Sequence, residues 1–109
     1  MTTGKPVDSS VECRVVSWNI HACVGSDGHY DVNRVADVLA DLDADIIGLQ
    51  EVDWRRAAPD GREAFQAIAD QLDMASVEGP NLSDPNGRYG NGLLTRFNVA
   101  TVQNLKLAY

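Results

Sequence analysis

Apolar and polar positions alternate over the first ordered-looking stretch of the chain and then shift to a helical period. From Val11 to Ile20 (VECRVVSWNI) β-branched and aromatic residues dominate, as a strand prefers. Cys13, Val15 and Ser17 alternate with Arg14, Val16 and Trp18, and apolar residues fall on both sides. That pattern predicts an inner strand covered on both faces. His21 to Tyr30 (HACVGSDGHY) has two glycines, an Asp-Gly pair and no apolar period, so it predicts a loop. Asp31 is placed to cap a helix, because its carboxylate can accept from an unsatisfied first-turn amide. From Val32 onward Val35, Val38, Leu39 and Leu42 form a helical stripe. Ile46 to Leu49 is a short continuous apolar run, as in a buried strand.

The second half repeats the alternation less regularly. Trp54 to Arg62 is charged, contains Pro59 and Asp60-Gly61, and predicts a loop. Phe65, Ile68, Ala69 and Leu72 predict a second helix, and Met74 to Val77 a short strand. Gly79 to Gly90 (GPNLSDPNGRYG) predicts a long loop, dense in Pro, Gly and Asn. Leu93 to Arg96 and Val99 to Leu107 predict two further strands with a turn near Phe97-Asn98. Strand, helix, strand, helix and then consecutive strands indicate a mixed α/β fold.

Composition narrows the class. The 109 residues suit one domain. A formal charge of −7 argues against a sequence-independent nucleic-acid coat, which needs a basic face for phosphates. It argues little against an enzyme, since a bound cation can reverse the local field. Two cysteines, Cys13 and Cys23, make no disulfide framework. Residues 1–10 (MTTGKPVDSS) are polar and predict a disordered lead-in without the apolar core of a signal peptide. No run reaches the length of a membrane span. A soluble, cytoplasmic protein with reduced thiols is expected.

The candidate chemistry sits at the ends of the first two predicted strands. Asn19 and Glu51 each close an apolar run, and the helix between them brings both to the same end of neighbouring strands. An amide oxygen and a carboxylate are the ligand types a hard divalent cation takes. Simpler roles compete with this one. A strand-end Glu can be merely solvated, and an Asn can satisfy backbone groups at a turn. Trp18, embedded in a strand, reads as core, and Asp53 as a turn carboxylate. His21, Cys23 and His29, with Cys13, lack the paired spacing of a zinc site. Asp27, Gly28 and Asp31 lack the acidic alternation of a calcium loop.

VVSWNIH, a helix and DIIGLQEVD, followed by YGNGLLTRFNV, resemble the N-terminal half of the endonuclease/exonuclease/phosphatase superfamily, the DNase I-like fold. The resemblance runs from Cys13 to Leu107. It implies the N-terminal half of a four-layer α/β sandwich, with a mixed, largely antiparallel sheet and helices on one side. It implies that Glu51 is a divalent-metal ligand and catalytic residue, that Asn19 is a metal ligand or supports one, and that His21 lies near metal or phosphate. The implied cofactor is Mg²⁺ or Mn²⁺ and the implied reaction is phosphoester hydrolysis. Gly92 stands where the family commonly has alanine, and Asn98 where it often has proline.

The family's C-terminal motifs, Asp-x-Asn and Ser-Asp-His, do not occur after the GNGLLTR strand in this sequence. Asp31-Val32-Asn33 opens a helix upstream of Glu51 and does not replace them. Residues 11–109 are therefore expected to be a partial domain, with little turnover without a water-activating base and a phosphate-binding His. Two function classes follow. One is a metal-dependent phosphoesterase segment complemented by a C-terminal half. The other is a non-catalytic half-domain that associates with itself or a partner through an exposed sheet. The substrate is a phosphoester of undetermined class.

Overall fold

The computed structural model describes residues 12–84 and 87–103. The predicted lead-in at 1–10 lies outside them. Strand β1 (Val15–Asn19) runs into a one-turn 3₁₀ segment at His21–Cys23, then helix α1 (Val32–Leu42) and strand β2 (Ile46–Asp53). Helix α2 (Ala64–Leu72) precedes strands β3 (Ala75–Asp84) and β4 (Gly87–Thr95). The four strands form one sheet in the order β1-β2-β4-β3. β1 and β2 are parallel, as a helical crossover requires, and the other two pairings are antiparallel. The fold is the expected mixed α/β arrangement, a largely antiparallel sheet with both helices packed on one side.

Local chemistry explains the helices. Asp31 caps α1 by accepting from the Arg34 amide at 3.0 Å, as its position predicted. The buried face of α1 is Val32, Val35, Ala36 and Leu39, at the spacing of one helical stripe. Val38 and Leu42, also expected on that stripe, flank it at 42% and 40% exposure. In α2 Phe65, Ile68 and Ala69 are buried. These residues meet Ile47, Leu49, Val52 and Leu94 from the sheet to form the core.

Several sequence expectations change. β1 has one hydrogen-bonded neighbour, so it is an edge strand among the described residues and not an inner one. Its Val16 and Trp18 pack toward the core, whereas Val15 is 64% exposed. The apolar residues on its outer side misled the periodicity reading. The loop predicted over Gly79 to Gly90 is largely two paired strand arms, with Gly79 opposite Asn91 and Asp84 opposite Gly87. Pro80 there marks a register shift between Pro80 and Leu82 within paired strands, and not a free loop. Of the strand predicted at Val99 to Leu107, residues 99–103 carry no regular structure and the remainder lies outside the described residues.

The sheet has two unlike faces. Ile47, Leu49 and Leu94 point to the helices and are buried. On the opposite face the cross-strand register aligns Ser17, Gly48, Leu93 and Val77 in one row, and Val15, Ile46, Thr95 and Ala75 in the next. Leu93 is 39% exposed there. Val15 is 64% exposed on the same face, whereas Thr95 is buried.

Candidate functional site

The strand ends that carry Asn19 and Glu51 are built from strained backbone. Asn19 ends β1, paired with Gln50 in the parallel register. Beyond it His21, Ala22 and Cys23 all adopt left-handed backbone, with φ of 50°, 54° and 63°. Each such residue costs about 1–2 kcal/mol without a glycine. The turn is held by the Cys23 amide on the Ile20 carbonyl and the Val24 amide on the His21 carbonyl, both at 2.9 Å. The Asp31 amide closes it on the Cys23 carbonyl, also at 2.9 Å. Cys23 is buried in the core beneath this turn, and burial pushes its thiol up to about 11.

β2 reaches the same place through a bulge. Leu49 pairs with Gly92 and Val52 with Gly90, so Gln50 and Glu51 together face a single residue of β4. Glu51 takes φ 55°, left-handed for a non-glycine residue. A bulge of this kind re-aims a side chain, and it lets Glu51 turn toward β1 while Val52 stays in the core.

Three side chains gather on the Glu51 carboxylate. The Asn19 amide nitrogen donates to Oε2. The Tyr89 hydroxyl donates to Oε1 at 3.0 Å. His21 Nδ1 stands 3.7 Å from Oε1, beyond hydrogen-bond range but close enough to attract when protonated. The hydrogen bond from Asn19, and after it that from Tyr89, holds the Glu51 carboxyl below its ordinary range. Asn19 Oδ1 accepts from the His21 amide at 3.0 Å. That contact both orients Asn19 and ties the left-handed turn to the strand end.

The expected residues thus fall together, and the sequence reading missed one. Tyr89 was hidden inside what read as a loop. The signal that could have found it is the pairing of YGNG with the Gln-Glu strand, which places Tyr89 opposite Asp53. Asp53 is engaged by Arg55, with Nε to Oδ1 at 2.8 Å and Nη2 to Oδ2 at 3.1 Å. Trp18 packs against the core. His29 leans on Asp27 at 3.8 Å and Cys13 is exposed, so the cysteines and histidines do not converge.

The donor set bears on the expected cation. Among the described residues no group of three or more His, Cys, Asp and Glu side chains is placed to hold a metal ion. Mg²⁺ is commonly held by one or two carboxylates, with water and phosphate oxygens completing the shell. Glu51 fits that pattern as a single, ionised, 40% exposed carboxylate. Asn19, with its nitrogen on Glu51 and its oxygen on the His21 amide, fits as a group that orients the carboxylate.

Comparison with known proteins gives the family. Residues 16–107 match the Endonuclease/Exonuclease/phosphatase family. The chain is 29% identical over 82 residues to Protein cwh43 of Schizosaccharomyces pombe, covering 75% of this chain and 8% of that protein. It superposes with a TM-score of 0.59 on the crystal structure of an endonuclease/exonuclease/phosphatase from Beutenbergia cavernae, at 25% identity. That alignment covers 83% of this chain and 27% of the solved one. The chain therefore spans a small part of both relatives. Among the described residues no helix is long and apolar enough to cross a membrane. With the family pattern covering most of its length, this chain belongs to the Endonuclease/Exonuclease/phosphatase family.

Proposed function

We propose that these residues act as a docking half of a phosphoesterase fold, associating through the open sheet face and contributing Glu51 to a cation site. The observation that carries this reading is the apolar exposure on that face, with Val15 at 64% and Leu93 at 39% beside Ser17 and Gly48. An apolar sheet face favours burial against a further layer. In this reading residues 11–109 are a partial domain, and its partner is a complementary C-terminal half or a second copy. Both cysteines are free, which suits the proposed cytoplasmic setting.

The second reading, a hydrolytic contribution, is favoured by the Glu51 cluster. A divalent cation bound there would neutralise phosphate oxygens and favour attack by water. Glu51 provides the charge for binding it, and Asn19 sets the carboxylate plane. His21, 69% exposed at the rim, would meet a phosphate oxygen of a phosphoester substrate in this reading. The Asp-x-Asn and Ser-Asp-His motifs do not follow the GNGLLTR strand in these residues, so the chain alone is proposed to turn over little.

Light scattering tests the docking reading. Wild type is expected to self-associate at tens of micromolar, roughly the range where weak interfaces populate. Leu93→Glu combined with Val15→Glu is expected to yield a monomer. A monomeric wild type that also takes up no complementary half would overturn the reading. Hydrolysis of bis(p-nitrophenyl) phosphate with Mn²⁺ is expected to be slow in wild type and at background in Glu51→Ala, and equal rates above background in the two would overturn the hydrolytic reading.

A further inference from the structure

Tyr89 opens the YGNGLLTRFNV segment but carries no role in the resemblance read from the sequence, yet it is the residue through which β4 reaches the carboxylate. Its hydroxyl donates to Glu51 Oε1 at 3.0 Å, while Asn19 occupies Oε2. Both donors are neutral. A carboxylate gripped by two neutral donors is fixed in its plane and keeps its full negative charge for a cation, whereas a lysine or arginine in either place would compete with that cation.

The Arg55 guanidinium is held beside the Tyr89 ring by a second arrangement. Arg55 lies over the Tyr89 ring, with Cζ 5.3 Å from the centroid. Its Nε and Nη2 are held by both oxygens of Asp53, and its backbone amide donates to Asp53 Oδ1 at 2.9 Å. Asp53 is only 10% exposed while Arg55 is 41% exposed, so the carboxylate end of the pair is the shielded one. Asp53 and Tyr89 are also direct register partners across β2 and β4. Asp53 therefore holds Arg55, Arg55 covers the ring, and the ring presents its hydroxyl to Glu51.

We propose that Tyr89 is a positioning residue for Glu51, clamped by the Asp53–Arg55 pair, which fixes the carboxylate plane without neutralising it. The inference rests on the reading of Glu51 as the cation-binding carboxylate for its functional meaning. The positioning itself is a property of the protein without metal.

Carbon-13 NMR of the metal-free chain, labelled at the glutamate carboxyl, separates the two. In Tyr89→Phe the Glu51 carboxyl resonance at neutral pH is expected to move while the thermal midpoint and the other glutamate signals stay near wild type. A resonance coincident with wild type overturns the positioning role whatever the metal result. Should Tyr89→Phe fold poorly, labelling the tyrosine ring carbon that bears oxygen gives the converse reading. Glu51→Gln is expected to move the Tyr89 signal, and an unmoved signal counts against the proposal. Mn²⁺ titration then addresses function, with Tyr89→Phe expected to bind about tenfold more weakly, the loss of one hydrogen bond to a charged group. A moved resonance in a wild type that binds no Mn²⁺ supports the positioning role and overturns the cation reading of Glu51. Equal Mn²⁺ affinity in wild type and Tyr89→Phe overturns the inferred contribution of Tyr89 to binding.

Discussion

Phe65 of α2 lies directly against Gly92 of β4, so closely that a Cβ at position 92 would come within 2.5 Å of ring carbon Cε1 and 2.6 Å of Cζ. The ring is itself pinned, edge-on to Trp54 at a centroid distance of 5.4 Å, and is 2% exposed. The absence of a side chain at Gly92 is what lets α2 approach the sheet at this point.

Gly92→Ala is accordingly expected to destabilise. Forcing a methyl into a packed core costs about 1–3 kcal/mol, and each kcal/mol lowers the midpoint by roughly 4–8 °C in a domain of this size. Thermal unfolding followed by circular dichroism measures it. A midpoint at or above that of wild type would show that the ring moves aside freely. Gly92→Ala paired with Phe65→Leu is expected to recover part of the loss.

The two thiols are expected to differ in reactivity. Cys23 is 4% exposed and its thiol is pushed up to about 11 by burial, so at pH 8 it is almost wholly protonated and shielded. Cys13 is exposed. A disulfide reagent at pH 8 is expected to titrate Cys13 within minutes and Cys23 only on unfolding in urea. Equal rates for both in the native protein would contradict the packing of the His21–Cys23 turn.

Acid should weaken one surface pair. Arg34, through two hydrogen bonds, together with the His29 amide, lowers the Asp27 carboxyl to about 2. Its folded value lies below the unfolded one, so the unfolded state takes up the proton first. The contribution is complete above about pH 5 and is lost as pH falls through 4 toward 2. The stability gap between wild type and Asp27→Asn is expected to shrink from pH 7 to pH 2. The gap is small throughout, because the pair is exposed. A gap that widens in acid would reverse the assignment.

How far the sequence could be read depended on whether a signal was local. The α1 cap at Asp31 and the helical stripes of Val35–Leu39 and Phe65–Ala69 are set by neighbouring residues, and they were legible. The meeting of Asn19 and Glu51 was legible because a parallel strand–helix–strand unit fixes which ends coincide. The hairpin arms around Pro80 and Gly87 were not, since Pro, Gly and Asn favour turns locally and only cross-strand pairing overrides them. Tyr89 was lost with them. The edge position of β1 was also out of reach, because apolar residues such as Val15 read as buried whether or not anything covers them.

The bulge at Glu51 could not be foreseen either. Nothing in Leu49-Gln50-Glu51-Val52 marks a left-handed residue, and no glycine stands there to announce it. It exists because Leu49 and Val52 both enter the core while β4 offers one residue between their partners. That mismatch is a tertiary fact, and it is what aims the carboxylate at Asn19.

The central claim is that Glu51, oriented by Asn19 and Tyr89, supplies the cation-binding carboxylate of this chain. Isothermal titration of the metal-free protein with Mn²⁺ at neutral pH, wild type beside Glu51→Ala, tests it most directly. The account predicts weak but saturable binding to wild type and none to the variant. Equal affinity in the two proteins would contradict it.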